Sequence, residues 1–131
     1  MKKNLKAASA NLSDFRDAVI KYSQFMLSDP PTANQYYDRF IKALRQLSRA
    51  GDEGMSALAT LLDDNDVAVR VMAATYLIRY RTKAAQEVLK VAAKMQDRAI
   101  SMLAIVTLKR WEKGYYLDPE TGNETKSNIG L

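Results

Sequence analysis

Two segments of this chain are helical in pattern yet apolar on nearly every face, and each follows a segment with only one apolar face. In the first, from Val67 to about Tyr80, one side carries Val69, Met72, Ala73, Tyr76, Leu77 and Tyr80. Much of the other side carries Val67, Val71, Ala74 and Ile78, and only Arg70 and Arg79 interrupt. In the second, about 98–113, the apolar residues are Ile100, Met102, Leu103, Ala104, Ile105, Val106, Leu108 and Trp111. A helix without a polar side has to lie between neighbours. The preceding segments, about 53–62 and 83–95, are amphipathic helices that supply such neighbours. An amphipathic helix followed by a more apolar one, recurring at about 30 to 35 residues, is the pattern of repeats that bury their faces by stacking. The expected fold class is therefore all-α: a short right-handed α-α superhelix of about six helices.

Two further helices precede the pairs. Leu5, Leu12, Val19 and Met26 recur at heptad spacing, interleaved with Ala8, Phe15 and Tyr22. That stripe predicts one amphipathic helix over about 4–27. Ser13-Asp14 offers an alternative N-cap that would divide it, but the stripe runs through that point. Ser28-Asp29-Pro30-Pro31-Thr32 is read as a break, because proline lacks the amide proton and restricts its predecessor. A second helix follows over about 33–50. Tyr37, Phe40, Ile41, Leu44 and Leu47 share one face, Arg39, Lys42, Arg45 and Arg49 the other, and Gly51 is placed to end it. After Gly114, the run Leu117-Asp118-Pro119-Glu120-Thr121-Gly122-Asn123 reads as a turn, so the end of the chain is either a small hairpin or a loose tail. One domain is expected over 1–131: an N-terminal helix in 1–29, the repeats in 33–113 and a tail in 114–131.

The stretch from Ala57 to Ala74 resembles a HEAT repeat, through Leu61-Leu62, the acidic turn Asp63-Asp64-Asn65-Asp66, Val69-Arg70 and Ala73-Ala74. The pair from Ala84 to Trp111 is a degenerate version without the Val-Arg dipeptide. The wider stretch from Asn34 to Gly114 resembles a small bacterial HEAT-like family known only as a domain of unknown function, serial two-zero-one-nine. Asn34, Tyr37, Arg39, Gly51 to Leu62, Arg70, Ala73-Ala74, Ala85, Val88-Leu89, Trp111 and Gly114 carry that likeness. The resemblance implies a helical-repeat fold and no known activity. Proteins of this kind resemble the immunity partners of bacterial polymorphic toxins, a likeness at the level of fold.

Chemistry is restricted by what is missing. The chain has no cysteine and no histidine, which removes thiolate chemistry, cysteine-ligated zinc, and the commonest general base and neutral metal ligand. Asp63, Asp64 and Asp66 lack the glycine and distal glutamate of a calcium loop and read as a helix cap. No catalytic residue, cofactor or metal site is expected, and the chain is read as a non-enzyme. Arg70, on a largely buried helix, is expected to pair with Asp63 or Asp64, a ligand contact being the alternative.

The net charge is +5 and the isoelectric point about 9.5. Between Arg70 and Arg110 stand nine basic residues against two acidic ones, Glu87 and Asp97. These are either solvated helix faces or a surface for an acidic partner. The candidate partner-binding residues are Arg39, Arg45, Arg49, Tyr76, Arg79, Tyr80, Trp111, Tyr115 and Tyr116. The aromatics among them are either interface anchors or the lid of a small core. The last helix adds a second indication, since a terminal repeat ordinarily presents a polar outer face. The chain's own tail, a second copy or a partner should cover Met102, Ile105 and Val106. The expected function is protein binding, with occlusion of a cognate toxin's acidic face as its sharpest form. The alternatives are nucleic-acid binding, for which no groove-entering motif is visible, and a homo-oligomeric structural role. Met1 to Lys6 is basic without a signal peptide's apolar stretch, and no apolar run reaches membrane-span length, so a cytoplasmic protein is expected.

Overall fold

The computed structural model describes residues 2–127, with side chains described from Lys6 onward. Leu5, counted in the first apolar stripe, and the last four residues expected in the tail lie outside the described side chains. The element order is α1 (Lys2–Phe25), α2 (Pro30–Arg49), α3 (Asp52–Ala59), a 3-10 turn (Thr60–Asp63), α4 (Val67–Leu77), α5 (Thr82–Ala93), α6 (Arg98–Glu112), β1 (Tyr115–Leu117) and β2 (Glu124–Lys126). The all-α class is correct, with a two-stranded hairpin appended.

The first two helices pack along each other through their apolar stripes. Phe15, Val19, Phe40, Leu44 and Leu47 are fully buried between them and the rest of the core. Phe40 is the hub. Its ring meets Phe15 edge-on at 5.8 Å between centroids, Tyr22 at 5.4 Å, Tyr37 at 5.0 Å and Tyr76 of α4 at 6.5 Å. Edge-to-face pairs of this kind add to simple area burial. One helix runs through Ser13-Asp14, as the continuous stripe predicts.

The prolines require a correction. Pro30 and Pro31 are the first residues of α2 rather than part of the break before it. The opening positions of a helix have no intrahelical acceptor to serve, so the missing amide protons cost nothing there. Asp29 caps the helix, its carboxylate accepting the Thr32 amide at 3.3 Å and the Thr32 hydroxyl at 2.7 Å. At the other end Gly51 takes a φ of +68°, which lets the chain turn into α3 without strain on a side chain.

The third helix is shorter than the expected 53–62. It tightens into the 3-10 turn at Thr60, which carries the buried Leu61 and Leu62. Asp66 then caps α4 by accepting the Val69 amide at 3.1 Å, and Asp97 caps α6 by accepting the Ile100 amide at 3.1 Å. The next helix, α4, ends at Leu77 instead of near Tyr80. α5 stops at Ala93 and α6 at Glu112, each a residue or two short of the expectation, as fraying ends commonly do.

Helix α4 is the centre of the molecule. It touches α1, α3, α5, α6 and β1, and every residue from Ala68 to Ile78 except Arg70 is buried. Helix α6 packs against α5 and α4 through Ala99, Ile100, Ala104, Thr107 and Trp111. Gly114, at φ +91°, ends that helix and starts the hairpin. The strands pair antiparallel, Tyr115 with Lys126, Tyr116 with Thr125 and Leu117 with Glu124. The turn closes through the Asn123 carbonyl, which accepts the Asp118 amide at 2.9 Å. The chain end is thus a hairpin, and among the described residues no helix is long and apolar enough to cross a membrane.

Candidate interaction surface

The acidic turn before α4 is occupied by structural work. The Asp64 carboxylate receives Arg16 of α1 on both oxygens, Nε at 2.8 Å and Nη2 at 3.3 Å, and also accepts the Asp66 amide at 2.9 Å. Hydrogen bonding from the Arg16 guanidinium holds the Asp64 carboxyl below its ordinary range, and the same bond raises Arg16. Arg70 is not the carboxylate's partner, contrary to expectation. Its Nη1 donates instead to the main-chain carbonyls of Asp64 at 2.7 Å and Asn65 at 3.2 Å. Arg16, on the neighbouring helix, reaches the carboxylate first, so Arg70 closes the turn through its backbone. No group of three or more metal-ligating side chains assembles among the described residues.

The candidate partner-binding residues fall into separate places. Arg39, Arg45 and Arg49 are exposed on α2. The Arg39 guanidinium lies 5.7 Å from the centre of the Tyr36 ring. Arg45 donates to the Thr121 carbonyl at 3.3 Å, and Arg49 pairs with Glu120 at 3.1 Å. The last two therefore clasp the hairpin turn. Gly122 also lies there, directly against Ile41. Tyr80 and Tyr115 are exposed, Arg79 and Tyr116 half-buried. Burial raises the Tyr80 phenol, with a contribution from nearby Tyr116.

Tyr76 and Trp111, candidates for partner binding, are core residues at 1% and 8% exposure. A large aromatic on a helix with neighbours on every side has nowhere else to go. Burial drives the Tyr76 phenol far above its ordinary value, with Tyr37 and Tyr22 adding to the effect, and burial likewise raises Tyr22.

A groove of about 380 Å³ opens between the end of α1, α4, α6 and the hairpin. Its floor is Tyr37, Met72, Tyr76 and the Thr75–Thr107 hydroxyl pair, 3.2 Å apart, each hydroxyl also bonded to a carbonyl one turn back in its own helix. Its walls are Tyr22 and Met26 on one side and Ala99, Leu103 and Leu117 on the other. Leu27, Met102 and Val106 stand at the mouth, exposed by 66%, 49% and 49%. The single charged residue lining it is Arg110, whose Nε pairs with Glu124 at 3.1 Å. No family model, curated protein or solved structure matches the chain.

The hairpin does not cover the outer face of α6. It leaves the helix at Gly114 and crosses α4 toward α2, so Met102, Ile105 and Val106 stay open. Met26, Leu27, Leu103 and Arg110 complete the groove and were not among the sequence candidates. Their common signal is weak: Leu27 is an apolar residue one position before the helix break, where no core face remains for it.

Proposed function

We propose that this chain is a non-enzymatic protein-binding module of the HEAT-like helical-repeat type, acting by occlusion. Its sharpest form is an immunity protein that covers the active or docking surface of a cognate bacterial toxin. The observation that carries this reading is the open apolar face of α6, where Met102, Ile105 and Val106 are exposed at 49%, 38% and 49% in the last helix of the chain. Contiguous apolar surface of this kind, with polar residues around it, marks a place where another molecule docks. The packing of α3 on α4 and α5 on α6 agrees with a repeat architecture, in which such a face is where a further repeat would sit. The net charge of +5 supports a partner with an acidic face.

Nucleic-acid binding is less well supported than it was from sequence. Arg45 and Arg49 hold the hairpin turn, and the groove is apolar and not a basic channel with stacking aromatics. A second reading has the same observation behind it: α6 as the seam of a homodimer.

The test is co-expression with the product of an adjacent toxin-like gene. Protection of growth and co-purification, both lost on Met102→Asp, are expected. Co-purification unaffected by that variant would sink the docking face. A stable dimer at tens of micromolar, without capture of the toxin, would move the assignment to self-association.

A further inference from the structure

The groove beside α6 carries more detail than a generic apolar face. Met102, Ile105 and Val106 point outward from one side of the helix, and Arg98 and Lys109 stand one turn before and one turn after them at the helical spacing that shares a face. Both are exposed, as is Lys113 at the helix end, and Arg110 lines the groove wall. The one acidic residue of this helix, Glu112, is exposed one turn beyond Lys109 and borders the stripe on its Ile105 side, away from the groove, with Trp111, Gln86 and Lys90. Of the nearby carboxylates, Asp29 is held by capping α2 and Glu124 by Arg110. The surface is therefore an apolar stripe with a cation at each end and Arg110 on its groove side, while Asp97 caps the helix and Glu112 borders only the side away from the groove. Three of the chain's six methionines, Met26, Met72 and Met102, line the groove. Flexible, polarisable methionine side chains suit a surface that receives apolar side chains in helical register.

We infer that the groove between α1, α4 and α6 seats an amphipathic helix of the partner whose exposed flanks are acidic. The inference rests on the binding-module reading and narrows it to one mode. The partner's apolar side chains enter between Leu27, Met102 and Val106, over Tyr76. Its carboxylates face Arg98, Lys109 and Arg110. Apolar contact provides affinity, and the flanking cations set register and exclude basic helices.

The probe is a fluorescein-labelled amphipathic peptide of about five turns, with leucine on one face and glutamate on the other, titrated against the full chain by fluorescence anisotropy. A matched peptide has lysine in place of glutamate. Binding of the acidic peptide at least about tenfold tighter than the basic one is expected, weakening with added salt. Val106→Asp should weaken it at least about tenfold. The double variant Arg98→Glu, Lys109→Glu should reverse the charge preference while leaving the circular dichroism and melting curve in place. Equal binding of the two peptides, or binding indifferent to Val106→Asp, overturns the inference. So does a dimer of the chain that breaks on Val106→Asp and ignores the peptide. Loss of this mode leaves occlusion of a folded acidic surface intact, because that is read from toxin protection and not from peptide binding.

Discussion

Helices α4 and α6 have nearly the same kind of sequence and end in opposite situations. Both are apolar on almost every face. The first is covered on all sides by α1, α3, α5, α6 and β1, and its side chains form the middle of the core. Among the described residues the second packs chiefly against α4, α5 and the hairpin, and one side stays open at Met102, Ile105 and Val106. All-round apolarity therefore means burial only for an element with neighbours on both sides. On α6 the same pattern marks a face that no other described element covers.

The comparison is broken most directly by truncating one residue in each helix. Leu77→Ala, at a position with no exposure, should lower unfolding free energy by about 3 kcal/mol, the usual cost of a leucine-sized cavity. Met102→Ala should cost about 0.5 kcal/mol, in the range of surface substitutions. Urea unfolding of the two variants measures both, and equal losses would show that α6 is as well covered as α4.

The attachments of the two helices differ in the same sense. At the start of α4, Asp64 is half-buried and ties the turn to Arg16 and to the Asp66 amide. Near the end of α6, Arg110 ties to the exposed Glu124. Asp64→Ala should cost about 1–2 kcal/mol, because a turn amide loses its acceptor along with the ion pair. Glu124→Ala should cost about 0.5 kcal/mol or less. The Asp64 contribution has a definite pH sense. Its carboxyl is held below the ordinary 3.8, so the unfolded chain binds the proton first. The stabilisation is complete at neutral pH, declines as pH falls below 3.8, and is gone once the folded carboxyl is protonated. Acid titration of the wild-type and Asp64→Ala stabilities should show the gap closing in that window. A gap unchanged at low pH would assign the effect to packing.

The caps make the finest distinction. Asp66 and Asp97 each accept the amide three residues on at 3.1 Å, and alanine at either should cost about 1 kcal/mol locally. Hydrogen exchange should then separate them. Asp66→Ala loosens α4 only as the whole core opens, whereas Asp97→Ala exposes the first turn of α6 alone. Uniform loss of protection in both would remove the distinction between a central and a peripheral helix.

Much of the fold was legible before any coordinates. The seven-residue stripe from Leu12 to Met26 gave α1 as one helix through Ser13-Asp14, and the acidic cluster ending at Asp66 marked where α4 begins. Gly51 and Gly114 marked where helices end. Those signals are local: they depend on helical period, capping side chains and backbone freedom. Where the reading slipped, the information was local but ambiguous, as with Pro30-Pro31, which stop one helix and equally well open the next. The candidate site was legible only in part. The uncovered face of α6 was visible as a pattern without a polar side, but the groove was not. Its walls come from α1, α4, α6 and the hairpin, far apart in the chain, and whether aromatics such as Trp111 are anchors or core is undecided until their neighbours are known.

By itself the sequence determined the helices, their caps and the need for each apolar face to find a neighbour, because these follow from period and chemistry within a few residues. Which face found one was decided by the tertiary structure. The hairpin leaves Gly114 toward α2, where Arg45 and Arg49 hold it, and a hairpin bound there cannot also lie over the outer side of α6.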